Sequence, residues 1–212
     1  LRIVAEPGTA PRMRNALERA AAARPRGATS LRMTRQPAAA PAARAASSIR
    51  LDATYDTYLK LAWTSRAVYV DSTATIRNTS GGVVDRIEFN TIAARLGELR
   101  LHPVTVDGAP VGATVSDQTI SVPLGKALAD GAQAVVRIRY SATLRSSLSG
   151  SNWLFTKANG VMDLYRWLPW VSRRVAFDRP NHGDPFVTPS STPQRATVRI
   201  SSGIAGMTSV TS

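Results

Sequence analysis

The sequence contains no cysteine, which excludes disulfides and thiolate metal sites and leaves the redox compartment open. No apolar run approaches the roughly 20 residues that a membrane-crossing helix needs, so no membrane span is expected. Histidine is scarce as well: His102 and His182 are the only two. Neither is followed by His, Asp or Glu three or four residues on, the spacing a zinc-binding helix uses, so each reads as structural or surface-exposed.

Aromatic residues are missing from the whole of residues 1–48, where 15 Ala, 9 Arg and 5 Pro dominate. This stretch has nothing with which to build a core, and it reads as a disordered basic leader or linker. Within it, Arg12–Arg24 has good helix formers but no apolar face to hold a helix in place. The chain starts at Leu1 without an apolar signal core, which points to processing or truncation upstream. The Ala/Pro-rich leader favours a location outside the cytoplasm.

Lysine is also rare. Of 27 basic residues only Lys60, Lys126 and Lys157 are lysine, a bias that a GC-rich genome produces without selection for phosphate binding. The net charge of +13 divides into +7 for residues 1–48 and +6 for the rest. With no zinc-finger spacing and no aromatic ribonucleoprotein motif, specific nucleic-acid binding is not expected.

After Ser48 the sequence turns period-two. Val68, Val70, Ala74 and Ile76 fall on one face and Tyr69, Asp71, Thr73, Thr75 and Arg77 on the other, as a half-buried strand requires. "NTSGG" at Asn78–Gly82 then predicts a hairpin into "VVDRIEFN". Leu99/Leu101, Val104/Val106, Ile120/Val122/Leu124, Val136/Ile138/Tyr140 and Val198/Ile200 continue the alternation, with "DG" turns at Asp107 and Asp130. Only "LGKALADG", Leu124–Gly131, offers even one helical turn. An all-β, antiparallel sandwich spanning 49–212 is the expected fold.

Catalytic motifs are absent. "SSLSGSN", Ser146–Asn152, lacks a nucleophile elbow and reads as a flexible turn, and no phosphate-cradling glycine loop occurs. Asp178, Asn181 and Asp184 stand at a spacing that suits Asx turns rather than a calcium loop. What stands out is "YRWLPWVSRRVAFDRPNHGDPFVTP", Tyr165–Pro189. With Trp153 and Phe155, its Tyr165, Trp167 and Trp170 form an aromatic concentration that suits a sandwich core, a sugar-stacking platform or a surface that docks another domain.

Taken in order, "YDTYLKLAW", "AVYVDSTATIRNTSGGVVDRIEFN", "LRLHPVTVDGAPV", "QTISVPLGKALADGAQAVVRIRYSATL" and "YRWLPW…FDRPNHGDPFVT" resemble the N-terminal domain of the aminopeptidase N type of zinc metallopeptidases, the gluzincins. The resemblance runs from about Thr54 to Ser202. It implies a bent antiparallel β-sandwich, non-catalytic, that walls one side of a substrate cleft and packs on a thermolysin-like catalytic domain, with a peptide as substrate of the parent protein. In that family the zinc ligands (H-E-x-x-H and a later Glu) and the G-x-M-E-N strand belong to the following domain. None of them occurs here, so zinc is expected only in a domain this chain lacks.

Family members carry a P-x-x-D-x-P segment where the two domains meet. Pro169, Asp178 and Pro180 resemble its parts, with "WVSRRVAF" inserted, and Trp167 and Trp170 flank it. The family's amine-binding Gln or Glu has no equivalent in Lys157–Arg166, where only Asp163 could supply a carboxylate. Asp163, Trp167, Pro169, Trp170, Asp178 and Pro180 are therefore the candidate interface or cleft residues. Pro braces the backbone and Trp gives large contact area with few rotors, so such a loop suits docking better than proton transfer. Because Trp167 and Trp170 are three apart around a proline, Trp167 is expected to be the more buried. The alternative is a stand-alone sandwich that binds a protein or carbohydrate through its tryptophans.

Overall fold

The computed structural model describes residues 2–4, 51–172, 194–202 and 208–210. Arg12–Arg24 and most of the proposed leader, His182, Asn181 and Asp184 lie outside the described residues.

The architecture is an all-β sandwich, built where the sequence alternates. Three long strands, β2 (Leu51–Ala62), β3 (Ala67–Asn78) and β10 (Gln133–Thr143), pair antiparallel in unbroken register, from Leu51↔Asn78 to Ala62↔Ala67 and from Gln133↔Arg77 to Thr143↔Ala67. Their odd/even alternation puts Tyr55, Leu59, Val70, Ala74, Ile76, Val136, Ile138 and Tyr140 inside, since side chains at i and i+2 share a face. The one polar cross-strand pair on this inner face is self-satisfied, with the hydroxyls of Thr57 and Ser72 2.8 Å apart.

The sheet is completed by β14 (Gln194–Ser201), β6 (Val104–Val106), β7 (Ala109–Val111) and the two-residue β5 (Arg100–Leu101), in the order β14-β2-β3-β10-β6-β7 with β5 also on β10. The expected antiparallel pattern has one exception among the described strands: β14 runs parallel to β2, Gln194↔Ala53 to Ser201↔Lys60, and outside the strands a lone bridge, Arg145↔Thr156, is parallel too. Parallel neighbours cannot be joined by a tight turn, and 131 residues of chain lie between these two strands.

A second sheet has the order β13-β4-β9-β8, formed by β4 (Val84–Asn90), β8 (Thr114–Ser116), β9 (Thr119–Leu128) and β13 (Trp170–Val171). Its Ile87, Phe89, Ile120 and Val122 belong to the same buried core as the inner face of the first sheet. A third sheet runs β11-β12-β1-β15, from β11 (Phe155–Ala158), β12 (Val161–Leu164), β1 (Arg2–Val4) and β15 (Thr208–Val210). Residues 2–4 of the stretch expected to be a leader thus pair with β12 on one side and β15 on the other.

Asn78–Gly82 does not close a hairpin. β3 and β4 lie in different sheets, and so do β9 and β10, so two turns carry the chain between layers. They are tied to each other. The Asn78 amide donates to Leu128 O (2.9 Å) and Gly82 O (2.7 Å), Asn78 N and O bond Ala132 O and Gly131 N, and Gly81 N donates to the Asp130 carboxylate. A turn signal tells where a chain bends but not which strand it bends toward.

Leu124–Gly131 likewise forms no helical turn: β9 persists to Leu128, and only Ala129–Gly131 turns. True two-residue hairpins occur at Asp107-Gly108 and Asn159-Gly160, where both residues take positive φ (51° and 84°, 52° and 72°), as a type I′ turn demands. Among the described residues one short α-helix, Ile92–Leu96, interrupts the strands without a periodic signal, because five residues are too few to show one.

Candidate functional site

The aromatic segment Tyr165–Val171 is held from within the sandwich. The Tyr140 hydroxyl donates to Trp167 O, and the Thr91 hydroxyl lies 2.9 Å from Trp167 O and 3.1 Å from Arg166 O. The same Thr91 oxygen caps the short helix by accepting from Ala93 N, while Ile92 N donates to Arg166 O at 3.0 Å. A Thr before "IAARL" is an N-cap signal. Here the cap doubles as an anchor.

Further along, Val171 N donates to the Tyr55 hydroxyl at 2.8 Å, and the Trp170 ring meets Tyr55 edge-on with centroids 4.9 Å apart. The chain then pairs with β4, Trp170↔Asn90 and Val171↔Phe89, and Ser172 N donates to Glu88 O at 2.6 Å. Two tyrosines from the inner face of the large sheet therefore position both ends of the segment. Each hydroxyl gives a buried backbone group, the Trp167 carbonyl or the Val171 amide, a partner inside the core that a phenyl ring could not supply. Burial pushes the Tyr140 phenol far above its ordinary range, the Thr91 hydroxyl beside it offsetting part of the rise.

Trp167 is 7% exposed and Pro169 is buried, whereas Trp170 is half-buried. The difference between the tryptophans follows the expectation from their spacing around Pro169. Tyr165 and Arg166 are also half-buried, the guanidinium 5.2 Å from the Tyr165 ring centroid. Asp163 is half-buried on β12, opposite Thr156 on one side and Arg2 on the other. It is on a different sheet from Trp170. Asp178 and Pro180 lie outside the described residues. Of the other aromatics, Phe155 is core and Trp153 is 43% exposed.

Sequence reasoning missed Tyr55, Tyr140 and Thr91 as the groups that fix the segment. Only their places on the apolar face of a strand, or just before the short helix, signalled that their hydroxyls would meet buried backbone.

Among the described residues no group of three or more His, Asp or Glu is placed to hold a metal ion. His102 stands on the outer face, its ring 6.0 Å from that of Tyr69 and its Nε2 enclosed without a hydrogen-bond partner. These residues do not fit a zinc ion, which takes three or four converging donors. No described helix is long and apolar enough to cross a membrane.

No protein-family model matches the chain, and no curated protein does. Solved structures do. The M1 zinc metallopeptidase from Deinococcus radiodurans is 21% identical with a TM-score of 0.52, over 73% of this chain and 33% of that one. A mutant of that enzyme matches at 22% identity and TM-score 0.51, over 72% and 32%, and a form bound to a Tyr-Ser-Ala substrate at 21% and 0.51, over 72% and 33%. The chain thus spans about a third of the length of these structures, and what it shares with that third is the fold.

Proposed function

We propose that this chain is the non-catalytic N-terminal sandwich domain of an aminopeptidase-like zinc metallopeptidase, walling the substrate cleft and docking on a catalytic domain. The observation that carries this reading is the likeness to M1 metallopeptidases, which takes in nearly three quarters of this chain but only a third of theirs. The remaining two thirds would supply the zinc and the chemistry.

The rigid backbone of Tyr165–Val171 supports a docking role for this segment. A surface already fixed by Tyr55, Tyr140 and Thr91 loses little entropy when it meets a partner, and the half-buried Trp170 keeps area free for contact. Asp178 and Pro180 would extend the same interface, and Asp163 would face the cleft. The candidate residues include no nucleophile–base pair and no metal ligands, so the chain by itself would not hydrolyse peptides.

Reading the coding sequence beyond Ser212 tests the proposal. An H-E-x-x-H helix followed by a zinc-binding Glu within a few hundred residues is the expected result. A stop codon with no neighbouring peptidase would sink it in favour of a stand-alone binding module.

A further inference from the structure

The outer face of the large sheet carries two exposed cations, Lys60 and Arg100, that no acid among the described residues pairs with. Register places its residues in cross-strand rows. Lys60, Tyr69, Ser141 and Arg100 stand side by side on β2, β3, β10 and β5. In the next row are Tyr58, Asp71 and Arg139, then His102, whose backbone N–H bonds Arg139 O at 2.9 Å.

Two acids of this face are already engaged. Asp71 gives both oxygens to Arg137, at 2.9 and 2.6 Å, and that hydrogen-bonded guanidinium holds its carboxyl below the usual range despite partial burial. Asp56 pairs with Arg199 at 2.9 Å. Among the described residues Lys60 and Arg100 have no side-chain hydrogen bond or ion pair, while Arg139 stands across from Asp71, its charge helping to hold that carboxyl down, and its Nε is enclosed with no acceptor. A guanidinium so placed retains an unmet demand for an acceptor.

The geometry points to this end of the face as a binding surface for an acidic polysaccharide, a chain bearing carboxylates at intervals. Lys60 and Arg100 are three strand spacings apart, roughly 14 Å at about 4.8 Å per strand, and Arg139 sits one row along between them. That spread is too wide for one small anion and suits a linear polymer lying across the strands. Charge complementarity supplies attraction, while the hydroxyls of Tyr69 and Ser141 lie between the cations, where sugar hydroxyls would pass. The Tyr69 and His102 rings are half-buried and tilted 53° against each other. They do not form the open stacked platform that single-stranded nucleic acid uses.

The test is binding of polygalacturonate to the 212-residue chain at moderate salt, with dextran and single-stranded DNA of equal charge in parallel. Three proteins are compared: wild type, K60Q/R100Q/R139Q, and a control that removes three cations elsewhere, R77Q/K126Q/R195Q. We expect wild type to bind polygalacturonate and not dextran, the first variant to lose about tenfold or more in affinity, and the control to lose about threefold or less, because only general charge is removed there. Equal losses in both variants, no binding by wild type, or tighter binding of the DNA would overturn the proposal. If the triple variant does not fold, R100Q alone, at an exposed position, must weaken binding more than R77Q does.

Discussion

The Tyr140 hydroxyl and the Trp167 carbonyl meet inside the sandwich, joining the inner face of the large sheet to the segment that enters β13. That carbonyl also takes the Thr91 hydroxyl, so either donor can keep it satisfied when the other is lost. Tyr140→Phe or Thr91→Val alone should therefore cost about 1 kcal/mol, and the pair together about 1–3 kcal/mol beyond their sum, since a buried carbonyl would then have no partner. Denaturant unfolding of the four proteins measures this, and strict additivity would show that the two donors act independently.

The same tyrosine sets a pH dependence. Burial raises its folded-state pKa, whereas in the unfolded chain a tyrosine ionises near about 10. Its contribution is complete below that value and falls as pH rises above it, because the unfolded state releases a proton that the folded state keeps. Unfolding free energy should decline more gently above about pH 10 in Tyr140→Phe than in the wild type. Identical slopes would mean that Tyr140 ionises freely in the folded protein.

How much of this was legible beforehand divides along physical lines. Period-two alternation is a local property, so the long strands and their buried faces could be read from Val68, Val70, Ile138 and Tyr140. Sheet membership is not local. Asn78–Gly82 has the composition of a hairpin turn, yet Asn78 ties it to Leu128 and Ala132 fifty residues on, and the chain changes layer. The candidate segment was visible through its tryptophans and proline; its anchors Tyr55 and Tyr140 looked like ordinary core residues because the partners of their hydroxyls are set by tertiary packing.

Gly97 closes the short helix against the third sheet. A Cβ there would lie 2.6 Å from Cε1 of Phe155 and 2.8 Å from Ala93 O, and its φ of −101° is open to any residue. The restriction is steric, so Gly97→Ala should destabilise by about 1–3 kcal/mol through overpacking. A gain in stability, as expected where only unfolded-state entropy changes, would show that the contact is loose.

Deleting residues 1–48 should leave the thermal midpoint of the sandwich within a few degrees, since the stretch offers no aromatic residue and little periodic apolar surface. Its one described element, β1, lies between β12 and β15. Hydrogen exchange should accordingly speed up at Thr208–Val210, which would lose a strand neighbour, and stay unchanged in β2, β3 and β10. A large fall in the midpoint would show that the stretch packs on the core.

Trp167 and Trp170 separate folding from docking. Trp167 is enclosed by the core, so Trp167→Ala should cost about 3–5 kcal/mol of folding stability through lost contacts and a cavity. Trp170 keeps part of its surface free and meets Tyr55 along one edge, an aromatic contact worth about 0.5–1.5 kcal/mol beyond burial. Trp170→Ala should therefore unfold only slightly more easily, yet weaken association with a separately supplied catalytic domain by about 2 kcal/mol or more, as interface anchors do. The two effects are read by denaturant unfolding of each variant and by titration of the partner into the folded proteins. Equal and severe destabilisation by both substitutions would make Trp170 a core residue, and the segment would then have no tryptophan left to offer a partner.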